Sequence, residues 1–410
     1  MQSTRRRGEA VLAALIAGAA VVLVIGAGVL YFGSTIIPVH TNPAAIPSAA
    51  ADIDAGNYAA AVDEARRLAR ALLVEENLPG LSVAVAVDGA IVWTEGFGYA
   101  AVDRTPVTPL TRFRLGALSK PMTSVAAALL HDRGRLDLDA PVQRYVPAYP
   151  QKPWTVTTRQ LMGDVAGVHR SRGDNIDGDS MPTQHCTNLD EAVELFAGDP
   201  LRFEPGTQHR YSIYGWVLVS AVVEKAGGEP FTRFMENQVF EPLGMERTIV
   251  AEREGLEDAT SYTPRSILRT RLGIEEDPPP EYSCLAGAGA FLSTPTDLVR
   301  FGSSLLKPGL LKAETITSLQ TPTRLVSGSS TTYALGWTVG SVQLAGGPVR
   351  MVSHRGSPRG GTVSLLTFPD LGLTVAAAAN MTDVTRVNPL ALQVADAFAR
   401  HQNRRDDSRK

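Results

Sequence analysis

The sequence predicts an α+β fold in which one antiparallel sheet is assembled from both ends of the chain, with a helical subdomain inserted between its halves. Two observations carry this expectation. β-Rich runs bounded by turn residues occur at 81–99 and again between 333 and 378, and the stretch between them carries mainly helical spacing. The composition is that of a folded chain: of 410 residues, 44% are hydrophobic and 20% charged, which excludes a disordered or collagen-like sequence.

At the N-terminus, Arg5, Arg6 and Arg7 precede an uncharged run at 10–32. A bilayer needs ~20 apolar helical residues, whereas a cleavable secretory core needs ~7–15, so an uncleaved anchor is expected. The arginines then stay cytoplasmic and the main domain lies outside, giving a single-pass protein of the cell membrane. Residues 1–33 read as cytoplasmic stub and transmembrane anchor. Residues 34–53, with Pro38, Pro43 and Pro47, read as a linker, and 54–400 as the main domain, its helical subdomain at about 105–290. Residues 401–410 read as a charged, frayed tail.

Within the main domain, 58–73 has helical apolar spacing. Asp88-Gly89 between the runs 81–87 and 90–99 is a strong hairpin signal. Helices are expected at 118–133, 158–163, 189–196, 214–226, 231–239, 295–306 and 313–319. Strands are expected at 333–339, 350–354, 361–368 and 372–378, and a last helix at 389–400.

A formal charge of −3 argues against a nucleic-acid partner. Two cysteines exclude a disulfide-dense scaffold and a Cys-based metal site. Cys186 and Cys284 are either bonded to each other or two free buried thiols. His131, His185 and His209 show no metal-ligand spacing, and no cofactor or metal is implied.

Six landmarks follow in order: LPGLSVAVAVDGAIVWTEGFGYA, FRLGALSKPMTSVAAALLHDRGRLDLDAPVQRYVP, LMGDVAGV, FEPGTQHRYSIYGWVLVSAVVE with EPLGM, AGAGAFLSTPTDLVRF, and SHRGSPRGGTVSLLTFPD. This succession, covering 78–380, resembles the serine β-lactamase and penicillin-binding-protein family. The match is to its class C-like branch of esterases, D-aminopeptidases and mitochondrial β-lactamase-like serine hydrolases. The resemblance implies a beta-lactamase/transpeptidase-like fold and a cleft built from three elements.

In that family the nucleophile is the Ser of S-x-x-K at the start of a buried helix, where the spacing puts both side chains on one face and the amine takes the serine proton. Lys120 matches the lysine, but Ala117 stands at the nucleophile position. Ser119 lies about 200° round the helix and should face away. Ser124 lies a turn deeper, and Ser304-Leu305-Leu306-Lys307 satisfies the spacing at the wrong end of a helix. The family's Y-x-N is Tyr211-Ser212-Ile213 here: the tyrosine base is kept, but Ile213 has no amide for a substrate. Its H-x-G is His354-Arg355-Gly356, which the resemblance makes the edge of the cleft, with the cation or imidazole binding a substrate carboxylate. The backbone N–H groups of Ser357 and Ala117 then form an oxyanion hole. Asp164 stands where relatives commonly carry His, and Ala166 where they often carry Ser. His169, Arg170 and Ser171 lie in a loop expected to border the site and read as solvated loop residues, and Trp93, Trp154, Trp216 and Trp337 read as core or cleft wall.

No acyl-enzyme forms on an alanine. The expectation is a membrane-anchored, extracytoplasmic family member with a degenerate site, inactive or weakly active. It would bind a small acyl, ester or D-amino-acid peptide ligand, or a partner. The alternative is a functional serine hydrolase, seen as a Ser-to-Ala variant or using another nucleophile. A third reading is an anchored scaffold without a ligand cleft.

Overall fold

The computed structural model describes residues 2–35, 37–102, 104–170, 184–251, 255, 257–264, 273–278 and 281–408. Its main sheet runs in the order Ser48–Ala50, Ala90–Ala101, Gly80–Val87, Leu373–Ala379, Thr362–Phe368, Gly347–Gly356, Thr338–Leu344, antiparallel throughout. The two ends of the chain meet where Gly80–Val87 pairs with Leu373–Ala379, Val83 opposite Ala377. Asp88 and Gly89 both take positive φ, +52° and +86°, the twist that a two-residue hairpin requires.

Alternation along the central strands sorts two cores. Val83, Val85, Leu366 and Val375 face the helices Ala59–Glu75 and Val387–Ser408. Ala84, Ala86, Leu365 and Ala376 face the other way, towards the helix Pro295–Ser303, and the central helix Ser119–Asp132 belongs to the same core beyond it. The first helix buries a stripe, Ala61, Val62, Ala65, Ala69, Leu72 and Leu73, at the spacing of one helical face. The central helix is buried on every side from Ser119 to Leu130. It is held by Ile213–Gly227 and by the segment around Ala286–Ala288: Thr123 Oγ1 donates to Gly287 O at 3.0 Å.

Four expectations change. The strand expected at 333–339 begins at Thr338 and continues to Leu344. Gly336, at φ +90°, and its N–H bond to Ala334 O fold the preceding residues into a turn. The helix expected at 231–239 is Phe231–Met235 followed by a wider π-type turn, Glu236–Phe240. The last helix, Val387–Ser408, runs on through most of the segment expected to fray. The expected linker is docked from Val39 onward. Val39 N–H donates to Asn77 Oδ1 at 2.8 Å, and Arg70 donates to Pro43 O, Ile46 O and Ser48 Oγ at 3.0, 2.7 and 2.8 Å. Carbonyls that a Pro- and Ala-rich segment leaves unpaired are met by one guanidinium.

The chain opens with a helix, Gln2–Thr35. Its apolar side chains Leu15, Ile16, Val21 to Ile25 and Leu30 are all exposed. Within this helix the described side chains are those of 13–28 and 30. Among the described residues, no helix is long and apolar enough to cross a membrane.

Candidate active site

A cleft of about 710 Å³ opens between the central helix and the strand Gly347–Gly356, lined among others by Ala117, Tyr211, Ile213, His354, Arg355 and Ser357. Two backbones are pressed together to make its floor. A Cβ on Gly356 would come within 1.8 Å of Leu115 O, and one on Gly116 within 2.9 Å of Pro358 Cδ. Glycine at 356 is therefore required by the close approach itself. Gly116–Leu118 forms a 3₁₀ turn that leads into the central helix. In the stretch 114–130, all other residues are buried and Ala117 alone is half-exposed, facing the cleft. Among the described residues, neither the Ala117 nor the Ser357 N–H donates to a backbone carbonyl outside regular structure.

Lys120 is fully buried beneath this floor. Its amine nitrogen lies 3.3 Å from the centroid of the Tyr211 ring and donates to Ser212 O at 3.4 Å. Tyr211 thus meets Lys120 with its ring face, and the Arg170 guanidinium carbon lies 5.4 Å from the same centroid. Asp164 is buried beside them, at φ +54°. Its Oδ1 accepts from Ser212 N–H at 3.3 Å and Trp216 Nε1–H at 3.2 Å, while Oδ2 has no hydrogen-bond partner. Burial pushes its carboxyl up to about 7, against the opposing pull of Lys120 and these two donors.

His354 does not face a ligand as a cation. Its Nδ1 lies 2.8 Å from Arg355 O, a carbonyl that can only accept, so Nδ1 carries the proton. Nε2 then accepts from Tyr333 Oη at 3.3 Å. Burial, helped by Lys120, holds the imidazole down to about 3. Of the pair His354-Arg355, for which the resemblance implies carboxylate binding, only Arg355 presents an exposed cation to the cleft. Ile213 opens its helix half-buried, presenting an apolar wall.

The other serines are engaged. Ser119 is fully buried and its Oγ accepts from Phe291 N–H at 3.3 Å. Ser124 Oγ donates to Leu335 O at 2.6 Å, and Ser304 Oγ to Phe301 O at 2.7 Å at a helix end. Cys186 and Cys284 form a disulfide. It ties the segment before the helix Leu189–Ala197 to the cleft wall carrying Tyr282, Leu285 and Ala288.

Arg170, expected in a loop bordering the site and read as solvated, is exposed and lines the cleft, while Ser171 lies outside the described residues. One sequence expectation fails: Trp154, read as core or cleft wall, is 40% exposed. Tyr333, Thr338 and Asn388, which lie in no motif, also line the cleft, as does Arg359, which lies in the last landmark without an expected role. Tyr333 reads as one more aromatic of a strand, and its burial against His354 depends on the turn at Gly336.

A family model described as Beta-lactamase matches residues 65–398. The chain is 28% identical to the bovine (Bos taurus) protein "Serine beta-lactamase-like protein LACTB, mitochondrial", over 83% of this chain and 80% of that one. It is 26% identical to "Penicillin-binding protein 4*" of Bacillus subtilis, over 77% of this chain and 71% of that one. Among solved structures, the octameric penicillin-binding protein homologue from Pyrococcus abyssi superposes with a TM-score of 0.69 at 24% identity, covering 82% of this chain and 77% of that one. A D-stereospecific amidohydrolase from Streptomyces superposes at 0.64 and 24%, covering 81% and 98%.

Proposed function

The chain belongs to the beta-lactamase family, and on that premise we propose that it is a ligand-binding member whose cleft holds a small acyl, ester or peptide ligand and turns it over weakly or not at all. One observation carries this reading: the half-exposed residue at the nucleophile position is Ala117, a methyl group. Acyl transfer needs an oxygen there, and losing one member of a catalytic unit costs several orders of magnitude in rate. Two further features support it. Lys120 spends its amine on the Tyr211 ring and Ser212 O, and Ser119, Ser124 and Ser304 hold their hydroxyls in internal bonds.

The test is turnover of short-chain esters, a chromogenic lactam and D-amino-acid peptides by the full chain and by Ala117→Ser. Background rates from the unchanged chain, with ester turnover gained in Ala117→Ser, are expected. Turnover by the unchanged chain that is lost in Lys120→Met would instead establish a working hydrolase with a different nucleophile.

The N-terminal helix is proposed as a membrane anchor. A helix that is apolar on all sides is satisfied only in a protein core or in lipid, and its described apolar side chains are exposed. Retention of the full chain in the membrane pellet after alkaline carbonate is the expected result; release into the supernatant refutes the anchor.

A further inference from the structure

The reading above leaves open which end of an acyl ligand the cleft recognises. A serine acyl-enzyme presents one carbon carrying two oxygens: one on the oxyanion N–H pair, the other belonging to residue 117. With alanine, the chain supplies neither oxygen. The N–H groups of Ala117 and Ser357 remain, on two segments that line one cleft and are pressed together where Gly356 meets Leu115 and Gly116 meets Pro358. The methyl of Ala117 faces open cleft.

The charges around this point are mostly positive: among the described residues, Arg170, Arg355 and Arg359 line the cleft against one acid, Asp383. Arg359 is paired with Asp277. Arg355 is exposed and, among the described residues, makes no ion pair. Lys120 lies below and adds its positive field to the floor, as its effect on Asp164 and His354 shows.

We propose that the cleft is a carboxylate receptor. One carboxylate oxygen sits on the N–H groups of Ala117 and Ser357, the second fills the place beside the Ala117 methyl where a serine hydroxyl would stand, and Arg355 supplies the pairing cation. The ligand class is a free acyl acid, the form an ester or amide takes after hydrolysis. Charge-assisted bonds to such an anion are about twice as strong as neutral ones, so the site distinguishes the acid from its ester. No bond is made or broken. The inference rests on the non-hydrolysing reading and names its ligand.

Calorimetric titration of the full chain in detergent, with N-acetylalanine of each hand and the matching methyl esters and primary amides, tests it. The acid of the preferred hand is expected to bind about tenfold or more tightly than its ester or amide. Arg355→Gln should remove that preference, bringing the acid's affinity down to that of its ester. Ala117→Ser should weaken the acid about tenfold, because its Oγ occupies the second oxygen's place. Equal affinity for acid, ester and amide, no binding of any of them, or undiminished acid binding by Ala117→Ser overturns the inference. Turnover of the esters by the unchanged chain at a rate matching or exceeding that of Ala117→Ser overturns the underlying reading and the inference with it. Equal affinities without turnover overturn the inference alone.

Discussion

Replacing Asp164 with asparagine removes a buried titrating group and keeps its shape and its Oδ1 acceptor for Ser212 N–H and Trp216 Nε1–H. The carboxyl titrates at about 7 in the folded chain and near its ordinary 3.8 when unfolded. The folded form is the better proton binder across that interval. The stability this group contributes is therefore full below about 3.8 and is lost as pH rises through about 7. At about 1.4 kcal/mol for each tenfold change in proton activity, the loss is on the order of 4 kcal/mol. His354 has the opposite sign: held at about 3 against 6.5, its contribution is present above 6.5 and is lost as pH falls through about 3. In the natural chain the two slopes oppose each other between about pH 4 and 6.5. In Asp164→Asn the histidine slope is no longer opposed by Asp164. Urea unfolding of the oxidised full chain, followed by the fluorescence of buried Trp216 and Trp337 from pH 4.5 to 8, reads this directly. The variant should gain on the natural chain by on the order of 3–4 kcal/mol over that range. A difference between the two that stays constant with pH refutes the assignment of a raised carboxyl to Asp164.

Gly356→Ala is expected to cost on the order of 3 kcal/mol, because the new methyl meets the Leu115 carbonyl. Gly340→Ala, where nothing lies within 4 Å, should be near neutral, and denaturant midpoints compare the two. Opening the Cys186–Cys284 disulfide, by reductant or by a double Cys→Ser change, should cost about 2–4 kcal/mol. It should lower the melting temperature and weaken ligand binding, because the bridge holds the wall of Tyr282 and Leu285; unchanged melting in reductant rejects that.

Much of this molecule is legible in its residues, for reasons that differ from place to place. The hairpin at Asp88-Gly89 is written in two positions, because a two-residue turn accepts few residue types. The central helix is legible in its second half, where 125–130 is an unbroken apolar run and Gly134 marks the end. The cleft, in contrast, is assembled from segments far apart in sequence, and only a resemblance could place Ala117, Tyr211 and His354 side by side. What the resemblance could not supply is how each side chain is spent. That Lys120 rests on the face of Tyr211, and that His354 turns both nitrogens away from a ligand, are consequences of packing around Asp164 and Tyr333. The docked segment after Val39 was hidden for a similar reason: proline and alanine look like slack until a distant arginine is found to satisfy their carbonyls.

That docking has a mechanical consequence. Between Thr35, the last residue of the N-terminal helix, and Val39, the first pinned residue, the chain spans at most ~14 Å. The helix and the body are therefore joined by a short leash. A pull on the helix is not absorbed by a long coil; it meets the Val39–Asn77 bond first, then the three bonds from Arg70 and the strand Ser48–Ala50. Because that strand is the edge of the sheet that carries the cleft, load on the helix is handed to the sheet from its edge.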